Sequence, residues 1–416
     1  MTPYASPRPT LPDAHWQGWL RADGRKGIRN VLAVVYLVEC AHHVARDIVT
    51  AFREQDDGPP VHLIGFPGCY PNTYAQELLE ALLTHPNVGG ALLVSLGCEG
   101  FNKHRLEEVI KASGRPVHTL TIQRSGGTNA TIGQGRSWVA QARQIMARQM
   151  RVSMGVQDLV IGTVCGGSDG TSGITANPAV GRAFDSLIAH GARCIFEETG
   201  ELVGCEPHMA ARARSPELAE ALTACVAKAA RYYSVLGHGS FAPGNADGGL
   251  TTQEEKSMGA YAKSGASLID GIITPGTPVP ETGRGGLYLL DVVPDGEVRW
   301  GFPNISDTAE IVELISCGAH MTLFTTGRGS VVGSAISPVI KVCANPDTYA
   351  RMSEDMDVNA GRILQGHTSL DEVGAEIVQQ VLDVASGRPS LSEVQGHQEF
   401  LLGYKYFDPS ARACLA

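Results

Sequence analysis

Three cysteines recur at an equal spacing of 29 residues, each just past an apolar run and just before a helical stretch: Cys40 in VVYLVEC, Cys69 in VHLIGFPGC and Cys98 in ALLVSLGCE. A fourth, Cys165, repeats the placement in LVIGTVCGGSDG. Thiolate is a soft ligand suited to iron, zinc and iron–sulfur clusters, and it is also a nucleophile. An open α/β sheet binds ligands in the crevice outside the carboxyl ends of its strands. Thiols delivered there are placed for metal or cluster chemistry, or for attack, rather than for core packing. No CxxC pair is present, which argues against a zinc knuckle. Ligands spread over separate βα units imply a site that the fold assembles. Three cysteines holding a [4Fe–4S] cluster with one iron open would fit, as would a mononuclear iron held by one or two of them with carboxylates. Cys194, Cys205, Cys225, Cys317, Cys343 and Cys414 read instead as small buried hydrophobes or incidental thiols.

Polar residues gather in three further loops. In Cys165-Gly-Gly-Ser-Asp-Gly-Thr-Ser-Gly, the residues Ser168, Asp169 and Thr171 precede a helix. Amides and hydroxyls there can hold a carboxylate, although neither GxxxxGK[ST] nor GxGxxG is present. PGNADGGLTTQEEKS offers Asn245, Thr251, Thr252, Glu255 and Lys256. Burial of Lys256 would lower its pKa toward that of a proton-transfer base; the alternative is a capping segment with solvated charges. ARCIFEET ends a strand in Glu197 and Glu198, with Glu201 close behind, and TTGRGS sets Arg328 between glycines, where it suits bidentate carboxylate recognition. His42, His43 and His104 lie near the thiols, but single helical histidines are seldom ligands.

The elements that must position these residues are legible as an alternation. VLAVVYLV, VHLIGF, GALLVSL and PVHTLTI read as buried parallel strands, and the amphipathic stretches between them as helices. GWLRADGRKGIRN suits a turn or hairpin before the first of them. QDLVIGTV, ARCIFEET, GGLYLLDVV and HMTLFTTGRGS open a second region of the same kind. The expected fold is α/β, with two parallel-sheet (Rossmann-like) domains and the site at strand carboxyl ends between them. Residues 1–16 form an N-terminal tail, 17–150 the first domain, 151–390 the second, and 391–416 a docking or wrapping tail.

Composition sets the remaining bounds. The chain has 416 residues, 43% hydrophobic and 18% charged, with net charge −10 and no Lys/Arg-rich run. That argues against nucleic acid as a partner. No run reaches membrane-span length and no apolar signal core opens the chain, so a cytoplasmic protein with reduced thiols is expected.

RADGRKGIRN, LGCE with Asn102, GGTNATIG, CGGSDGTSGITANPAVG, ETGELVGCE, PGNADGGLTT with EEKSMG, FTTGRGS with PVIKV, and MDVNAG together resemble the large catalytic part of the altronate/galactarate dehydratase family. The resemblance runs from Gly18 to about Phe400. It implies a lyase that removes water from a sugar acid to give a 2-keto-3-deoxy acid. It also implies iron, as Fe(II) or a [4Fe–4S] cluster, with Mn(II) as the alternative metal. A relative with the same large subunit, sulfolactate sulfo-lyase, eliminates sulfite. Single-chain members carry a small N-terminal SAF-type domain that does not open this sequence, so a separate small SAF-type subunit is expected, as is a homo-oligomer. VECAHH and FPGCYPN depart from the family's versions around the first two thiols, which leaves the substrate open. On this reading Lys256, Glu198 and Asp169 are the catalytic candidates, and Ser168, Thr171, Asn245, Thr252, Arg328 and Asn102 orient a small anionic hydroxy acid. Cys40, Cys69, Cys98 and Cys165 hold the metal.

Overall fold

The computed structural model describes residues 14–53, 58–234, 243–295 and 306–404. Its strands in chain order are β1 His15–Leu20, β2 Lys26–Gly27, β3 Val31–Tyr36, β4 Val61–Gly65, β5 Val88–Ser95, β6 Val117–Thr121, β7 Arg151–Gly155, β8 Val160–Cys165, β9 Arg193–Phe196, β10 Ile269–Ile273, β11 Gly286–Leu290, β12 Met321–Thr326, β13 Val339–Cys343 and β14 Val358–Asn359. The runs VLAVVY, VGGALLVS and MTLFTT are buried along almost every residue, as expected of strands covered by helices on both faces.

Two all-parallel sheets result. The first has the order β4-β3-β5-β6 and the second β10-β11-β9-β8-β12-β13-β14. In each, the chain starts inside the sheet, builds to one side, then crosses to the other. The switch points, where adjoining loops part to leave a crevice, therefore lie between β3 and β5 and between β8 and β12. β1, β2 and β7 form a small antiparallel sheet. The expected RADGRKG turn closes its hairpin, with the Arg21 amide donating to the Arg25 carbonyl at 2.8 Å.

The two units share a core. Phe66 and Leu78 from the first pack with Ile311, Leu314 and Phe324 from the second. The Tyr74 hydroxyl donates to the buried carboxylate of Glu313 across this seam. Arg29, at the strand end opposite the cysteines, forms a two-pronged pair with Glu393 (2.7 and 2.8 Å) and donates to the Val384 and Arg388 carbonyls, a structural role. Strand β1 begins at His15, inside the stretch expected to be a tail. At the other end Leu402 is buried and Tyr404 stands edge-on to Phe66, so the C-terminal segment wraps onto the first unit as far as it is described. Residues 1–13 and 405–416, with Cys414, lie outside the described residues. No described helix is long and apolar enough to cross a membrane.

Candidate active site

Cys165 is the last residue of β8, on the switch point of the larger sheet, and is paired in register with Thr325 of β12. Two glycines allow the loop that follows. A Cβ on Gly166 would lie 2.0 Å from a carboxylate oxygen of Asp307, and Gly167 has a positive φ of 60°. This close approach brings Asp307, the first residue of the helix Asp307–Ser316, against the loop.

A buried cluster surrounds the thiol. Lys256 Nζ donates to Cys165 Sγ at 3.1 Å and to Ser168 Oγ at 2.9 Å, and is 2.6 Å from Glu201 Oε2. Cys165 Sγ stands 3.3 Å from Ser168 Oγ and 3.7 Å from Glu201 Oε2. Glu198 accepts from the Cys165 amide at 2.8 Å and pairs with the fully buried Lys263. Glu198 is the single non-glycine residue with positive φ (80°) among the described residues. Such a backbone costs on the order of 1–3 kcal/mol and persists where surrounding bonds fix it.

Lys256 and Lys263 are seven residues apart on the segment of helix Gln253–Ala262 and its C-terminal cap, hence on one face. That spacing was the available signal for Lys263, which the sequence reading did not single out. Asp307 had no such signal, because only folding brings it to the loop.

The electrostatics differ from expectation at Lys256. Burial pulls its pKa down, but Cys165 and Glu201, through charge and hydrogen bonding, outweigh burial and raise it, so Lys256 stays an ammonium. Burial would raise the Cys165 thiol, yet Lys256, Lys263 and the Ser168 bond bring it down to about 6. Burial, then opposed by Lys256 and reinforced by Cys165, raises Glu201 to about 8. The thiol and carboxyl titrate together. Values of about 6 and about 8 leave one proton shared by the pair at neutral pH. Burial, then Glu201, also raises Asp307.

The other expected site residues take these places. Asp169 Oδ1 accepts from the Thr171 amide (2.9 Å) and hydroxyl (2.6 Å), and its Oδ2 from Asn345 at 2.9 Å. Gly327 passes so close that a Cβ there would lie 2.1 Å from Oδ1. Asp169 thus ties three loops together. Thr252 and Asn102 are exposed helix N-caps, accepting from the Glu255 and Arg105 amides at 3.1 Å. Asn245 is buried in the short helix Pro243–Asp247 and accepts the Gly248 amide on its carbonyl. Arg328 is exposed at the loop's mouth, its amide donating to Gly167 O at 2.8 Å and its stem beside Gly248. Cys40, Cys69 and Cys98 belong to the other sheet and are exposed; Cys194, Cys205, Cys225, Cys317 and Cys343 are buried.

Cys165, Glu198 and Glu201 offer ligand atoms within 4.8 Å of one another, a mixed sulfur and oxygen set compatible with a first-row metal. The two lysines, however, already stand where a cation would, one against Cys165 and Glu201 and the other against Glu198. The trio as held does not fit a resident ion.

A buried thiol, ammonium and carboxyl thus meet at the switch point of a parallel sheet, and sequence comparison places the chain among lyases. The description D-galactarate/altronate dehydratase, C-terminal, matches residues 156–407, and the second domain of D-galactarate dehydratase/altronate hydrolase matches 18–147. The beta subunit of (2R)-sulfolactate sulfo-lyase from Chromohalobacter salexigens is 32% identical, over 94% of this chain and 97% of that one. Altronate dehydratase from Escherichia coli is 28% identical (94% and 78%), and the galactarate dehydratase (L-threo-forming) of the same organism 30% (93% and 76%). The chain belongs to the galactarate/altronate dehydratase family.

Proposed function

We propose that this chain eliminates water across C2 and C3 of a small polyhydroxy carboxylate, giving a 2-keto-3-deoxy acid. The observation that carries the proposal is the Cys165–Lys256–Glu201 cluster, in which a low-pKa thiol and a high-pKa carboxyl stand 3.7 Å apart. Titratable groups driven apart by their surroundings mark base and acid. The Cys165 thiolate takes the C2 proton. The Lys256 ammonium offsets the charge that develops on the substrate carboxylate. Glu201 gives its proton to the C3 hydroxyl, which departs as water. The resulting enol tautomerises to the ketone, and the proton on Cys165 returns to Glu201. Arg328 at the mouth pairs with the substrate carboxylate. The lysines exclude a metal from this cluster as held, so no step is assigned to one.

The sulfo-lyase relative, matched along nearly its whole length, supports a second reading in which sulfite is the leaving group. Sulfite departs without protonation, so Glu201 would matter little. The word subunit in that name supports a multi-subunit enzyme, and a small partner subunit is proposed here. The test offers altronate, galactarate and sulfolactate to the purified chain, alone and with such a subunit, and follows 2-keto acid and sulfite. A 2-keto acid from a sugar acid, abolished by Cys165→Ala, supports the first reading. Sulfite release supports the second. No turnover of any of the three under either condition overturns both.

A further inference from the structure

The switch point of the smaller sheet carries its own set of reactive groups. In the register of β4-β3-β5, Tyr36 is aligned with Gly65 on one side and with Val94 on the other. Cys40, Cys69 and Cys98 are each the fourth residue beyond these aligned positions. The equal spacing in sequence thus becomes an equal offset past the ends of three adjacent strands, which lie about 4.8 Å apart. The three loops are stitched together. The Glu39 amide donates to Pro67 O at 3.3 Å, and the Gly100 amide to the carbonyl of Cys69 itself at 2.7 Å.

Below them the floor is apolar, with Phe66 and Phe101 edge-on at 5.4 Å and both buried. Glycine is required in two of the loops. Gly97 has φ +127°, and a Cβ on Gly68 would strike the Tyr404 hydroxyl. All three thiols are nevertheless exposed. The acidic side chains beside them are already engaged: Glu39 pairs with His42 at 3.1 Å, and Glu99 accepts from the Gly97 amide at 2.8 Å and from Ser95.

We infer that Cys40, Cys69 and Cys98 hold an iron–sulfur cluster of the [4Fe–4S] type, its fourth iron open to an exogenous oxygen ligand, at a site separate from the Cys165 cluster. The spread of the thiols favours a cluster over one ion. Among the described residues, only Cys165, Glu198 and Glu201 form a trio of metal-ligand types with donors within 4.8 Å, so the three exposed thiols stand wider than the ligand shell of a single zinc or iron. A cluster that gives each thiolate its own iron accepts that spread. As each iron–sulfur bond forms, the thiol proton leaves to solvent. Three thiolates serve three irons, and no further cysteine of the first sheet's loops remains for the fourth.

The test measures iron, acid-labile sulfide and the visible spectrum of the full chain purified without oxygen, for wild type and for Cys40→Ser, Cys69→Ser, Cys98→Ser and Cys165→Ser. About four irons with matching sulfide are expected per chain. Most of both should be lost in each of the first three variants, with thermal unfolding unchanged, and retained in Cys165→Ser. Iron without sulfide, zinc in its place, retention in Cys69→Ser, or loss confined to Cys165→Ser would each overturn the inference. So would a chain that takes up neither iron nor sulfide when both are supplied anaerobically. None of these readouts depends on turnover, so the inference and the elimination reading fail separately.

Discussion

Replacing Lys256 by glutamine removes the ammonium 3.1 Å from Cys165 and leaves a neutral side chain of nearly the same reach. The thiol now sits at about 6 against an ordinary 9.0. That difference of about 3 units corresponds to about 4 kcal/mol in favour of the thiolate. Burial acts the other way, and Lys256 heads the groups that overcome it. Without Lys256 the thiol should return to 9 or above. At pH 7 its ionised fraction would fall from about 90% to about 1%, close to two orders of magnitude. The assay is the rate of alkylation of Cys165 by iodoacetamide as a function of pH, in a Cys40→Ser/Cys69→Ser/Cys98→Ser background so that the exposed thiols do not report. Wild-type alkylation should rise through pH 6, and that of Lys256→Gln only above pH 8, with Lys256→Arg recovering part of the shift. The elimination rate at pH 7 should fall by about 10²-fold in parallel, since it needs the same thiolate. An alkylation profile still centred near 6 in Lys256→Gln would refute the reasoning and transfer the low pKa to Lys263 or to the loop.

Further outcomes follow from the same cluster and the loops around it. The groups facing Cys165 and Glu201 are Lys256, Lys263, Glu198, Ser168 and Asp307, and kcat/KM should be bell-shaped, rising through about 6 as the thiolate forms and falling through about 8 as Glu201 ionises. Glu201→Gln should remove the alkaline limb and lower water elimination by about 10²- to 10⁴-fold; an intact limb would assign it to another group. In stability the signs are opposite. The depressed Cys165 pKa contributes above the unfolded thiol's value and is lost as pH falls through 6, whereas the raised Glu201 pKa contributes below the unfolded carboxyl's value and is lost as pH rises through 8. Arg328→Ala should raise KM or lower kcat/KM by about 10²-fold in steady-state assays if the guanidinium pairs with the substrate. Asp169→Ala should cost about 2–4 kcal/mol in denaturant unfolding, because the Asn345 and Thr171 donors lose their acceptor.

What the sequence made legible was local. A strand buried on both faces reads as an apolar run, and the residue after it must lie at a sheet edge, so the strand-end placement of all four chemical cysteines was visible. Their partition was not. The equal spacing of Cys40, Cys69 and Cys98 follows from successive βα units in one sheet, whereas Cys165 follows the antiparallel β7 and opens another. Strand β13 escaped notice because Lys341 interrupts its apolar run, yet that side chain is wholly buried and donates to the Val332 carbonyl at 3.1 Å. A charged residue in a strand is hidden from pattern reading when the carbonyl that satisfies it is brought there only by the fold.

The same limit explains Lys256. Burial alone predicts a lowered pKa, and only the fold discloses that a thiolate and a hydrogen-bonded carboxyl are buried with it. A buried ion pair is costly to assemble and strongly destabilised by removing one member. Here the cluster's ammonium keeps a thiol ionised and the thiolate helps keep a carboxyl protonated, a division of charge that single-residue propensities do not encode. The sheet supplies it by bringing the end of β8 and the loop after β9 within reach of one lysine-bearing helix face. The chemistry therefore resides in the crossing of three segments at the switch point, and substitutions that shift any one of them should alter the shared titration before they alter the fold.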